Sequence, residues 1–239
     1  TADILGLRVH FLDFDGLKYL FHEIFVDLEY YVRLSSDKPF IIDCGSNIGM
    51  SVLFFKALYP EAEIVGFEPG DATFECLRKN IAENRLQKVT LHKKAVTDRE
   101  GEIAFYRDPD NPGSTTMSTM RDRCHGESLT VESTLLSKHV DREVDFLKLD
   151  VEGAERAVIG DLCRHGRMGL IKEMVVEYHH HMTEDDDSFS EILKLLEDSG
   201  FGYQISADPY VPFKSRRNQD ILVYAYRKSG SVPGTSSSG

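Results

Sequence analysis

The stretch Phe40-Ile41-Ile42-Asp43-Cys44-Gly45-Ser46-Asn47-Ile48-Gly49 constrains this chain more than any other. An apolar run ends in an acid, and a tight turn of small residues follows. Met50 to Tyr59 then reads as a helix stopped by Pro60. Strand, glycine turn and helix N-terminus, in that order, make a place where backbone can approach a ligand closely. The spacing is not the G-x-G-x-x-G of the dinucleotide fingerprint.

The rest of the chain repeats the alternation. Strand 38–43 and helix 49–59 are followed by a strand at Ile64–Glu68, a helix capped by Asp71 and running to Asn84, and a third strand over 89–96. Further strands are expected at 144–150, 171–178, 201–206 and 221–226, with helices through Cys163 and over 189–198. Strand and helix in alternation imply a parallel sheet covered by helices, an α/β fold. Before it, Leu7–Asp13 reads as a strand with Asp15-Gly16 as its turn. The aromatic segment 19–31 reads as a helix or hairpin capping the sheet, or places Tyr30 or Tyr31 as a lid over the glycine turn. Between short strands at 102–106 and 128–131, the stretch 107–126 is a long loop, either an acceptor-binding lid or a mobile insertion. The domains expected are a cap segment over 1–37, one α/β domain over 38–228 and a flexible tail over 229–239.

Composition narrows the function. With 239 residues and a formal charge of −12, the chain lacks the basic excess that nucleic acid or an anionic membrane attracts. Neither partner is expected. Cys44, Cys76, Cys124 and Cys163 are scattered, which suits reduced thiols and a cytoplasmic location better than a zinc site or a disulfide framework. There is no signal-peptide pattern and no apolar run of membrane-spanning length. The start at Thr1 and the Ser/Gly-rich finish are read as the marks of a domain excised from something larger.

The residues of the turn resemble motif I of class I methyltransferases, an acid followed by G-x-G-x-G with Asn47 at the middle glycine. Glu68, about 20 residues on, ends the next strand, where a carboxylate can take both ribose hydroxyls of a nucleoside. Together, Asp43-Cys-Gly-Ser-Asn-Ile-Gly49, Phe67-Glu-Pro69, Ala95-Val96, Phe146-Leu-Lys-Leu-Asp-Val-Glu-Gly-Ala-Glu155 and Val176-Glu-Tyr-His179 resemble the FkbM family of S-adenosylmethionine-dependent methyltransferases across roughly 38–226. The resemblance implies a single doubly wound, mostly parallel seven-stranded sheet whose last strand is antiparallel. It implies O-methylation of a hydroxyl on a natural product or sugar.

On that reading Asp43, Gly45, Ser46, Asn47, Gly49, Glu68, Pro69, Ala95 and Asp150 bind S-adenosylmethionine, with Asp43 accepting from its ammonium group. His179, at a strand end, is the side chain suited to base work near neutrality. Asp150 and Glu152 orient it or the acceptor, and Lys148 supports the carboxylates. No metal is expected, although Asp150, Glu152 and a histidine form a set that Mg²⁺ would suit. Asp185-Asp186-Asp187 reads as a solvated start of a helix. The acceptor is a small molecule or is bound to a carrier protein, as in a polyketide or peptide assembly line. The rival readings are an NAD-dependent oxidoreductase and a catalytically silent cofactor-binding module.

Overall fold

The computed structural model describes residues 1–107, 127–181, 189–207 and 219–228, with Arg107 described by its backbone alone. In chain order the elements are β1 (Ala2–Ile4), β2 (Leu7–Val9), α1 (Phe14–Phe21), β3 (Phe40–Cys44), α2 (Met50–Leu58), β4 (Glu63–Phe67), α3 (Asp71–Glu83), β5 (Val89–His92), β6 (Ala95–Thr97), β7 (Gly101–Arg107), β8 (Glu127–Leu135), β9 (Val144–Leu149), α4 (Glu155–Arg164), β10 (Ile171–His180), α5 (Phe189–Asp198), β11 (Phe201–Ala207) and β12 (Gln219–Arg227).

Seven strands form the central sheet in the order β11-β12-β10-β9-β3-β4-β5. β3, β4, β5, β9 and β10 run parallel, while β12 is antiparallel to both its neighbours. The doubly wound sheet with an antiparallel last strand is therefore present. Its central strands are apolar throughout because both faces are covered. Along β3, Phe40, Ile42 and Cys44 join one core with Leu147, Val176, Val158 and Ile192, whereas Ile41 joins the other with Phe146, Leu53 and Phe55. Period-two alternation thus assigns each strand residue to the α4–α5 layer or to the α1–α2–α3 layer. Ile41, Ile42, Leu147 and Phe55 are fully buried, and each such side chain contributes roughly 1.5–3 kcal/mol.

Two local expectations give way. The segment 7–13 is not one strand: β2 stops at Val9, and Asp13 becomes the N-cap of α1, accepting from the Gly16 amide at 2.6 Å. Asp15-Gly16 accordingly lies inside the first helical turn, because the cap satisfies an amide that a hairpin would leave to solvent. The expected strand over 89–96 divides in two. β5 closes the edge of the main sheet, and after Lys93-Lys94 β6 joins a separate three-stranded sheet of order β6-β8-β7. Consecutive lysines break the alternation that would have kept one strand on one sheet. The expected loop over 107–126 falls, but for Arg107, outside the described residues, as does Asp185-Asp186-Asp187.

The N-terminal segment is fastened to the domain by two asparagines, Asn80 of α3 and Asn84 at its C-cap. Asn80, fully buried, accepts from the His10 amide at 2.6 Å and donates to the His10 and Ile48 carbonyls. Asn84 makes the equivalent pair with the backbone of Arg8. Each amide side chain mimics a strand partner, and Asn80 ties the segment to the glycine turn itself.

Candidate functional site

One cleft opens at the carboxyl ends of β3, β4, β9 and β10, where the strand order reverses direction around β3 and an α/β sheet offers its crevice. It encloses about 960 Å³ of empty space, counting the part open to solvent. Gly45, Ser46 and Asn47 line one side and Glu68, Pro69 and Ala95 the adjoining one. Lys148, Asp150, Glu152 and His179 line the far end. Asp43 and Gly49 are not among the lining residues and work from beneath.

The turn owes its shape to close packing. Gly45 has φ +82°, and a Cβ there would stand 1.8 Å from the Asp150 carbonyl oxygen. The loop after β9 therefore crosses directly against the turn. The Gly45 and Ser46 amides both donate to the Phe67 carbonyl, at 3.0 and 2.9 Å. At Gly49, whose φ is +92°, a Cβ would meet Leu77 Cδ1 at 2.6 Å.

Asp43 is fully buried. Its Oδ2 accepts from the Ser51 hydroxyl at 2.6 Å, and its Oδ1 lies 3.7 Å from the Lys148 ammonium. Lys148 in turn donates to the Gly45 carbonyl at 2.7 Å and to Asp150 Oδ2 at 2.9 Å. Burial alone would pull the lysine's pKa down, but Asp150 and Asp43 outweigh it and hold the ammonium above its ordinary value. In this arrangement Asp43 holds the lysine and the start of α2 in place, and what it presents to the cleft is Lys148.

Glu68 is 5% exposed at the end of β4. Its Oε1 accepts from the Gly70 amide and the Thr73 hydroxyl, at 2.8 and 2.7 Å, and its Oε2 from the Asn47 amide at 2.9 Å. Burial pushes the carboxyl up, and these three donors pull it back. A carboxylate has about four lone-pair sites, so these three donors leave Oε2 able to accept from a ligand hydroxyl.

At the far end His179, its side chain 1% exposed, stands among acids. Its Nδ1 is 3.2 Å from Glu155 Oε1; its Nε2 is 3.3 Å from Glu152, 3.9 Å from Asp150 and Glu177, and 4.0 Å from Asp220. Burial disfavours the imidazolium, yet Glu152 and Glu155 raise its pKa well above the ordinary value. The ring is thus held between carboxylates, and it acts with them rather than as an isolated imidazole. Sequence reasoning singled out His179, Asp150, Glu152 and Lys148, and the fold brings all four together. It missed Glu155, Glu177 and Asp220 as members. Glu177 is reachable by strand arithmetic, since i and i+2 on β10 share a face. Asp220 comes opposite His179 through the β10–β12 register, which no local pattern reveals.

The N-terminal segment roofs this end. Tyr30 is buried, lines the cleft, donates to Glu177 Oε2 at 2.8 Å and sets its ring 5.0 Å from the Lys148 ammonium. Tyr31 is half exposed, so of the two tyrosines named as a lid it is Tyr30 that covers the cleft.

Comparison with known proteins agrees with this geometry. The profile of the Methyltransferase FkbM domain family matches residues 43–204. Methyltransferase 1 of Beauveria bassiana is 28% identical over 217 residues, covering 82% of this chain and 85% of the relative. The 31-O-demethyl-FK506 methyltransferase FkbM of Streptomyces tacrolimicus is 26% identical over 239 residues, covering 85% and 89%. Among solved structures, Methyltransferase FkbM from Methylobacillus flagellatus KT superposes with a TM-score of 0.54 at 16% identity, covering 82% of this chain and 45% of that one. That last likeness is one of fold.

Proposed function

The chain belongs to the FkbM methyltransferase family, a methyltransferase that uses S-adenosylmethionine, and from that premise we propose that it methylates a hydroxyl oxygen of a natural product or sugar. The acceptor enters free or carried on a protein. The observation that carries the reading is that one cleft is lined both by Asn47, Glu68, Pro69 and Ala95 and by a carboxylate–histidine cluster at Asp150, Glu152 and His179.

The donor set of the cleft suits the cofactor. Glu68 keeps an acceptor site for a ribose hydroxyl, Pro69 and Ala95 offer apolar surface to a base, and the turn at Gly45 and Ser46 lets the amino-acid end lie against backbone. Lys148 and Asp150 supply one cation and one anion for that end's carboxylate and ammonium. When bound, S-adenosylmethionine supplies a methyl group already activated by its sulfonium.

The protein's own work is then alignment and deprotonation. Asp150 and Glu152 orient the acceptor hydroxyl. Its proton passes to the cluster they form with His179, which Glu155 anchors from behind. Tyr30 and the rest of the roof keep water from the reacting oxygen. With that methyl donor bound, the aligned hydroxyl oxygen would take the methyl group, and the cluster would keep the acceptor's proton.

The name of the Streptomyces tacrolimicus relative, which specifies an O-demethylated acceptor, supports oxygen as the target. Incubation with methyl-labelled S-adenosylmethionine and a panel of hydroxylated natural products, sugars and carrier-bound acyl chains tests this. Label on an acceptor oxygen is expected. Label on nitrogen or carbon alone, or bound cofactor with no transfer to any hydroxylated acceptor, would overturn it.

A further inference from the structure

Glu155 opens α4, where the helix dipole favours an acid whatever its task. That account suits an exposed side chain. Glu155 is 1% exposed, and a glutamate is rarely buried so completely unless its oxygens are paired. Its partners are the Val151 and Gly153 amides just before the helix and His179, 24 residues further along the chain. It does not line the cleft, so whatever it does there it does through these neighbours.

A single oxygen makes three of the contacts. Oε1 accepts from the Val151 amide at 3.1 Å and the Gly153 amide at 3.0 Å, and it stands 3.2 Å from His179 Nδ1. Oε2 accepts from the Gly153 amide at 3.1 Å. An oxygen that already takes two amide hydrogens meets the ring as an acceptor, so the hydrogen between them belongs to Nδ1. In the neutral ring this leaves Nε2 bare, 3.3 Å from Glu152 Oε2. The same two amides flank Glu152, whose φ is +53°, a left-handed conformation that is strained for a residue with a side chain. One carboxylate therefore holds both the imidazole and the strained residue that faces it.

We infer that Glu155 is a positioning residue for methyl transfer: it fixes the His179 hydrogen on Nδ1 and pins the 151–153 turn, so that Nε2 and the Glu152 carboxylate meet the acceptor's proton together. The consequence for transfer rests on the hydroxyl-methylating reading, whereas the place of the hydrogen rests on the contacts above. Among the described residues, the charged groups facing the ring are Glu155 from α4, Asp150 and Glu152 from the loop after β9, Glu177 from β10 itself and Asp220 from β12. Lys148 acts on them through Asp150, and Tyr30 through Glu177. Burial disfavours the imidazolium, but Glu152 and Glu155 outweigh it and hold the pKa above its ordinary value. Loss of the Glu155 charge therefore lowers that pKa, and the ring becomes neutral at a lower pH. Where Nε2 takes the acceptor's proton, the acidic limb of the rate profile moves down with it.

Glu155→Gln keeps the shape of the side chain and removes its charge. Magnetic resonance of protein carrying ¹⁵N in its imidazole rings, with the His179 signals identified by their loss in His179→Ala, reads both the hydrogen's place and the ring's titration. The wild-type neutral ring should carry its hydrogen on Nδ1. In Glu155→Gln the titration midpoint and the acidic limb of kcat/KM for the acceptor should move to lower pH together. There kcat should fall about 10- to 100-fold, while KM for S-adenosylmethionine changes little. A wild-type neutral ring protonated on Nε2 overturns the proposal, and that result does not depend on the variant folding. So does an acidic limb that stays in place in Glu155→Gln, or a KM for S-adenosylmethionine that rises as far as kcat falls. Because the hydrogen is located without turnover, failure to methylate any hydroxyl would overturn the proposed function and leave the assignment of Nδ1 standing.

Discussion

Gly45→Ala is expected to cost most or all of the protein's stability, about 4 kcal/mol or more. The added methyl would stand 1.8 Å from the Asp150 carbonyl oxygen. Both partners are backbone, so no rotamer change relieves the clash. Three hydrogen bonds also meet at that point: the Gly45 and Ser46 amides donate to the Phe67 carbonyl, and the Gly45 carbonyl accepts from Lys148. Moving the turn away breaks the contact among β3, β4 and β9 at once. Gly101→Ala is the matched control: its φ is +105°, but nothing lies within 4 Å of where its methyl would stand. Only backbone strain of roughly 1–3 kcal/mol applies there. Denaturant melts of the two variants should separate them clearly, and equal losses would mean that the crossing at Asp150 does not constrain the turn.

His179→Ala is expected to lower turnover by about 10² to 10³-fold, the range for loss of a positioned proton-transfer group. The Michaelis constant for S-adenosylmethionine should change little. The two halves of that expectation come from the two ends of the cleft. His179 faces Glu152, Asp150, Glu177 and Asp220, whereas the cofactor wall is built on Glu68 and the turn. Removal of the ring also leaves carboxylates facing one another, so cofactor binding must be measured on the same preparation to show an intact fold. A loss divided equally between cofactor affinity and turnover would mark His179 as a structural residue, and an unchanged rate would remove the cluster from the chemistry.

Much of this was readable from the chain because the signals are local. The run Phe40–Cys44, the small residues after it and Pro60 are close in sequence, so pattern alone places β3, the turn and α2. Glu68 and the Lys148–Glu155 block lie at strand ends for the same reason. What escaped depends on partners distant in sequence. Asp43 looked like a cofactor ligand from its place before the turn. The structure sets it beside Ser51 and Lys148 and buries it completely, and none of these follows from strand periodicity. Asp13 as a helix cap outcompeted the Asp15-Gly16 turn signal through one side-chain bond. Asp220 reaches the site because β12 inserts antiparallel beside β10, and Tyr30 meets it through a bond to Glu177, 147 residues away in sequence. The separation of β5 from β6 likewise reflects a choice between two sheets, which a short stretch of sequence does not contain.

The claim underlying all of this is that the turn and Glu68 hold S-adenosylmethionine in the cleft, and a calorimetric titration addresses it directly. The wild-type chain should bind one S-adenosylmethionine and show no affinity for NAD. Glu68→Ala removes a charged acceptor for the ribose, an interaction of about 1.5–3 kcal/mol, so affinity should fall roughly 10- to 100-fold in that variant while it remains folded. Binding of NAD in place of S-adenosylmethionine, or S-adenosylmethionine binding that is unchanged in Glu68→Ala, would contradict the account.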